Sequence, residues 1–159
     1  MALSGCRLRS RSLLLLAAGL MLGAEACASA MTVPVTWQLP SGPVTKERRW
    51  YACRTGSGGP VPRSVENCRL AYEQLTEQHD PKAALVTLGK VGGSNKKVTA
   101  ERLWNEAVAN DVLGDCQRAK GSLEMARNYT DNTYDFGLES QMKDELDAYV
   151  DELSGRCGH

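Results

Sequence analysis

The chain has 159 residues, with 19 basic and 19 acidic side chains and a formal net charge of zero. That balance excludes a strong whole-chain attraction to nucleic acid, which rests on an excess of basic side chains. Aromatic residues make up 6% of the sequence, so a core must be assembled mainly from Leu, Val and Ala, and the length admits one domain with one modest core.

Residues 1–30 carry the three zones of an export signal in order. Arg7, Arg9 and Arg11 make the start cationic, Leu13 to Ala24 is an uncharged apolar run, and Ala26-Cys27-Ala28-Ser29-Ala30 is a small-residue stretch. The run is shorter than the roughly 20 apolar residues that a membrane-spanning helix needs. Two processing routes fit. Ala28-Ser29-Ala30 is an A-x-A cleavage site that leaves Met31 as the new N-terminus. Ala26-Cys27 resembles the lipobox of bacterial lipoproteins, in which Cys27 takes a diacylglycerol. Ala24 and Glu25 depart from that pattern, which prefers small or apolar residues led by a leucine. Either route implies an exported protein, periplasmic or extracellular, whose only membrane attachment is the lipid anchor at Cys27. Four cysteines survive both routes: Cys53, Cys68, Cys116 and Cys157. An even number in an exported chain of this size reads as two disulfides. The absence of a C-x-x-C pair, with His79 and His159 as the sole histidines, argues against zinc.

Residues 31–63 form a turn-rich basic arm. Lys46, Arg48, Arg49, Arg54 and Arg63 face Glu47 alone, whereas from Asp131 onward the chain is strongly acidic, with Lys143 and Arg156 the only basic residues. Two readings follow: a solvated acidic helix face beside a basic arm, or a docking contact between the two ends. Val33, Val35, Trp37 and Leu39 alternate like a strand, and Arg49-Trp50-Tyr51-Ala52 is the apolar stretch available to pair with them in a hairpin. An irregular arm tied down at Cys53 fits equally. Thr55 to Pro60 lacks the Lys-Ser/Thr ending of a phosphate loop and reads as a linker.

Residues 64–157 read as helical. Val65, Cys68, Ala71, Tyr72 and Leu75 recur at helical spacing, with Ser64 as the expected N-cap. Asp80-Pro81 opens a shorter helix. After the break at Gly92-Gly93-Ser94-Asn95, Thr99 is the expected cap of a third helix, with Leu103, Ala107, Val108 and Val112 as its stripe and Gly114 as its end. Asp115 caps a fourth, with Cys116, Ala119, Leu123 and Ala126 on one face. The fifth runs from about Asp135 to Leu153 on Leu138, Met142, Leu146, Tyr149, Val150 and Leu153, and Ser154-Gly155 stops it.

Cys68, Asp80, Ala84 and Leu88 have counterparts 35 residues on, at Leu103, Asp115, Ala119 and Leu123. Each copy is an apolar helix, a turn with Asp, then Ala-x-x-x-Leu, and Leu113-Gly114-Asp115-Cys116-Gln117-Arg118-Ala119 is the fullest example. This resembles the tetratricopeptide repeat, about 34 residues folded as a helix–turn–helix. Tyr72 and Glu106 stand where that family has small or apolar residues, so the copies are degenerate. The resemblance implies a mainly all-α fold of two such pairs plus a C-terminal capping helix, preceded by the irregular or hairpin arm. It also implies a pairing of Cys116 with Cys157, because the last helix runs antiparallel to the fourth, and of Cys53 with Cys68 locally.

Catalytic constellations are missing from the sequence. There is no Gly-x-Ser-x-Gly elbow and no His-Glu-x-x-His helix, and His79 sits in an interhelical turn. The acids of the last helix lack the spacing of a calcium loop. The expectation is therefore a non-enzyme without cofactor or metal. Tetratricopeptide arrays bind proteins or extended peptides in a groove lined by the first helix of each pair. The resemblance places Glu66, Arg69, Glu73, Glu101, Trp104 and Val108 there. Trp104 is either an aromatic anchor of that groove or a core tryptophan. The resulting expectation is a protein-interaction module of the bacterial cell envelope. The alternative is a small disulfide-stapled helical bundle that binds a lipid or other apolar ligand.

Overall fold

The computed structural model describes residues 31–54, 61–92, 95–130 and 139–157. The expected export signal, with Cys27 and the A-x-A site, lies outside the described residues, as do the stretch 55–60 and residues 131–138. Two strands come first, β1 (Thr32–Leu39) and β2 (Gly42–Arg49). Five helices follow: α1 (Arg63–Thr76), α2 (Pro81–Leu88), α3 (Lys96–Val112), α4 (Cys116–Thr130) and α5 (Glu139–Cys157). The chain is mainly helical, and the arm is an antiparallel hairpin.

The hairpin turns through Pro40-Ser41, where the fixed φ of proline suits the first turn position. Gly42 leaves the turn at φ +121°, a value L side chains rarely adopt. Leu39 pairs with Gly42 and Thr32 with Arg49, so the partner of β1 is Gly42–Arg49 and not the apolar Arg49–Ala52. Lys46-Glu47-Arg48 lies outside the stretch expected to pair, but in a two-stranded ribbon its basic side chains can turn to a helix. The Trp50 N–H donates to the Met31 carbonyl at 2.8 Å, which makes the odd-numbered β1 residues the hydrogen-bonded pairs. Pro34 and Pro43, opposite Glu47 and Gln38, therefore sit at non-hydrogen-bonded positions. There a missing N–H costs the ladder nothing and interrupts the outer edge of each strand. Val33 and Val35 are buried, while Thr36 and Thr45 share a hydroxyl hydrogen bond of 2.7 Å on the exposed face.

α2 and α4 each begin on an aspartate. Asp80 accepts from the Ala83 N–H at 2.9 Å with Pro81 behind it, and Asp115 accepts from the Arg118 N–H at 3.1 Å. Gly114, at φ +76°, ends α3 before Asp115. Three boundaries depart from expectation. α1 begins at Arg63 behind Pro62, because the Ser64 hydroxyl donates to the Cys53 carbonyl at 3.0 Å instead of capping. α3 begins at Lys96 with Asn95 as N-cap, and Thr99 lies in its first turn; asparagine outranks threonine at this position. α5 runs through Ser154-Gly155 to Cys157, its last turn held by an Arg156–Asp111 ion pair and the Cys157 disulfide.

Each helix packs on the next: α1 on α2, α2 on α3, α3 on α4, α4 on α5. Ala71, Ala84, Ala107, Ala119 and Ala126 are fully buried, and such small side chains let helix axes approach. Positions 35 residues apart match in role. Cys68 and Leu103 are buried, Asp80 and Asp115 cap, and Ala84, Ala119, Leu88 and Leu123 are fully enclosed. α3 is buried along most of its length, with Val112 at its end exposed against the expected stripe. Disulfides join Cys53 to Cys68 and Cys116 to Cys157, with Cα separations of 6.1 and 5.8 Å. Among the described residues no helix is long and apolar enough to cross a membrane.

Candidate functional site

Beyond β2 the chain continues as a strap, Arg49–Arg54, that crosses α1, α3 and α5. α3 grips its main chain with two adjacent side chains. The Trp104 indole N–H donates to the Arg49 carbonyl at 2.7 Å. The Asn105 carboxamide accepts from the Tyr51 N–H at 2.9 Å and donates to the Tyr51 carbonyl at 2.8 Å. One turn earlier on α3, the Glu101 carboxylate faces the N–H groups of Cys53 and Arg54. Burial pushes its pKa up; the Lys97 ammonium and those two amides pull it the other way. Its Oε2 has no hydrogen-bond partner. Cys53 sits at φ +55°, a conformation that costs a non-glycine residue about 1 kcal/mol or more. The disulfide and the Ser64 hydroxyl hold it there.

The strap's side chains enter the helices. Trp50 is buried and donates its indole N–H to the Cys68 carbonyl of α1 at 2.9 Å. Tyr51 meets Trp104 edge-on at 5.6 Å between centroids, and Trp104 meets Tyr149 of α5 at 5.6 Å. Burial, then the nearby Glu145 carboxylate, pushes the Tyr51 hydroxyl up to about 12. Burying Val33, Val35, Trp50 and Tyr51 stabilises the arm by about 1.5–3 kcal/mol for each side chain. The arm is thus a part of the core and not a removable cover.

α5 contributes the opposing charge. Glu152 pairs with Lys46 and Arg48, and Glu145 with Arg49 at 3.4 Å. The Arg48 guanidinium lies 3.8 Å from the Tyr149 ring centroid, and that of Arg156 4.1 Å from Trp37. The Tyr149 hydroxyl donates to Asp111 Oδ2 at 2.6 Å, and Arg156 meets the same oxygen at 2.7 Å. Burial and the Asp111 charge push the Tyr149 hydroxyl well above the usual phenol range. Of the two readings of the charge asymmetry, the structure shows the docking contact.

The six residues expected to line a groove divide between the two helices. Glu66 and Arg69 are exposed on α1, where Arg69 pairs with Glu73. On α3, Glu101, Trp104 and Val108 are buried, at 5%, 3% and 0% exposure. The strap fills the space in front of Glu101 and Trp104. Asn105 and Asp111, which organise this face, resemble ordinary polar helix positions in sequence. The one signal for them is helical spacing: Asn105 stands three residues before Val108 and Asp111 three after it. His79 is exposed in the α1–α2 turn, at φ +54°. Among the described residues no three His, Cys, Asp or Glu side chains stand close enough to hold a metal ion. No protein-family model, curated protein or solved structure matches the chain.

Proposed function

We propose that this chain is an exported, non-catalytic protein-interaction module of the cell envelope, built as two degenerate tetratricopeptide-like helix pairs closed by α5. The observation that carries the reading is the grip of Trp104 and Asn105 on the main chain of a crossing segment. A helix face that holds carbonyl and N–H groups captures polypeptide whatever its sequence, as peptide-recognition surfaces do. Here the captured segment is the chain's own strap, which consolidates a short array that would otherwise bury a thin core. Further support comes from the consecutive helix packing, the matched roles of positions 35 residues apart, and two disulfides that suit an oxidising compartment. With the α3 part of that face filled, the module meets partners through the surface left open.

The test places a photo-crosslinking amino acid at the exposed positions Glu66, Val86 and Leu39, one at a time, in the native host. A discrete heavier species containing a second protein is expected from at least one face. Uncrosslinked chain from every position, or turnover of a substrate by the purified protein, overturns the reading. The intact mass of the mature protein checks export. It is expected to start at Met31, or at acylated Cys27, with two disulfides; a mass starting at Met1 with free thiols refutes it.

A further inference from the structure

The hairpin tip encloses a cleft of about 570 Å³ together with the ends of α3 and α5, within the size range of sites that seat a small organic group. Trp37, Leu39 and Pro40 form one wall, and Gly114, Cys116 and Gly155 line the other side. A β-carbon built on Gly155 would meet nothing within 4 Å, so the space in front of it is open. One buried charge lines the cleft. The Asp111 side chain is 3% exposed, and its bonds from Tyr149 and Arg156 both fall on Oδ2. Oδ1 takes neither bond, and Asp111 lines the cleft. Arg156 lines the cleft too and already balances the Asp111 charge, so an incoming cation would be repelled by a guanidinium, whereas a neutral donor would not. Leu39, which lines the cleft, is 41% exposed. Apolar side chains exposed around a pocket are the setting of a protein contact centred on an aromatic anchor.

We propose that this cleft seats a tyrosine side chain of a partner protein, its ring against Trp37, Leu39 and Pro40 and its hydroxyl donating to Asp111 Oδ1. The assignment rests on the interaction reading above. The incoming tyrosine repeats on one carboxylate oxygen what Tyr149 does on the other. A phenylalanine would leave Oδ1 without that donor and bind about tenfold more weakly, the usual worth of a hydrogen bond to a charged group.

The test titrates the oxidised, isotope-labelled mature protein with N-acetyl-tyrosinamide, N-acetyl-phenylalaninamide and p-cresol, following amide chemical shifts. Saturable shifts at Leu39, Gly114 and Gly155 are expected with the tyrosine probe, about tenfold weaker with the phenylalanine probe. They disappear in Gly155→Leu, whose β-carbon meets nothing within 4 Å. Absence of saturable shifts at these amides, or equal affinity for both probes, overturns the proposal. Binding of p-cresol without the tyrosine probe assigns the cleft to a free phenol and overturns the partner tyrosine. A cross-linked partner with no tyrosinamide binding sinks this inference alone. Tyrosinamide binding with no cross-linked partner sinks the interaction reading and, with it, the identity of the occupant.

Discussion

Replacing Asn105 with alanine removes both hydrogen bonds to the Tyr51 peptide groups in one step. Asn105 and Tyr51 are both buried, so water does not readily replace the lost partner. Each buried main-chain group left unpaired costs about 1–3 kcal/mol, which gives about 2–6 kcal/mol for the pair. A domain of this size has about 5–15 kcal/mol of stability in total. The loss is therefore a large fraction of the whole, without the disulfides being touched. Urea denaturation of the oxidised protein measures it, with exposed Glu66→Ala expected to stay within about 0.5 kcal/mol as control. Amide exchange supplies a second readout: the Tyr51 N–H should lose protection by more than the loss in global stability explains, because it opens locally. A cost below about 1 kcal/mol with Tyr51 protection unchanged would refute the view that α3 holds the strap through Asn105.

Other outcomes follow from the same contacts. Glu152→Gln removes the partner of Lys46 and the half-buried Arg48 and is expected to cost about 1–3 kcal/mol. Breaking the more exposed Arg69–Glu73 pair with Glu73→Gln should cost under about 1 kcal/mol in the same denaturation assay. Stability should fall steeply above about pH 10, where the tyrosines of the unfolded chain ionise while Tyr51 stays protonated to about 12 and Tyr149 is raised as well. The contribution of a raised group is complete below its unfolded pKa and lost through its folded one, so Tyr51→Phe should flatten this alkaline limb. A limb unchanged by that substitution refutes the assignment. Opening the Cys116–Cys157 bridge, which spans 41 residues, should cost about 4 kcal/mol by loop entropy, against about 3 for the 15-residue Cys53–Cys68 loop. Paired Cys→Ser variants, compared by denaturation, check that order.

What could be read in advance was local. Asp80-Pro81 and Gly114-Asp115 mark helix boundaries through the chemistry of two adjacent residues, and both stand where that chemistry puts them. The cysteine pairing came from the resemblance to helical pairs rather than from spacing. β2 was not legible, because Lys46 and Arg48 look like loop residues until Glu152, more than a hundred positions away, comes alongside. The same distance hid the face of α3. Asn105 and Asp111 resemble surface positions, and they are buried only because the strap and α5 arrive over them. Val112 erred the other way, completing an apolar stripe that ends before it reaches a neighbour.

The placement of Pro34 and Pro43 sets the manner in which this molecule can be approached. A two-stranded ribbon ordinarily offers both flanks as templates, so copies of such a chain brought close together risk zippering flank to flank. With a ring where each flank needs a donor, a third strand cannot pair without a gap, whether it comes from another copy or from a foreign peptide. Growth by strand addition is thereby halted on both sides. What the two flanks leave open to a neighbour is contact through side-chain shape and charge.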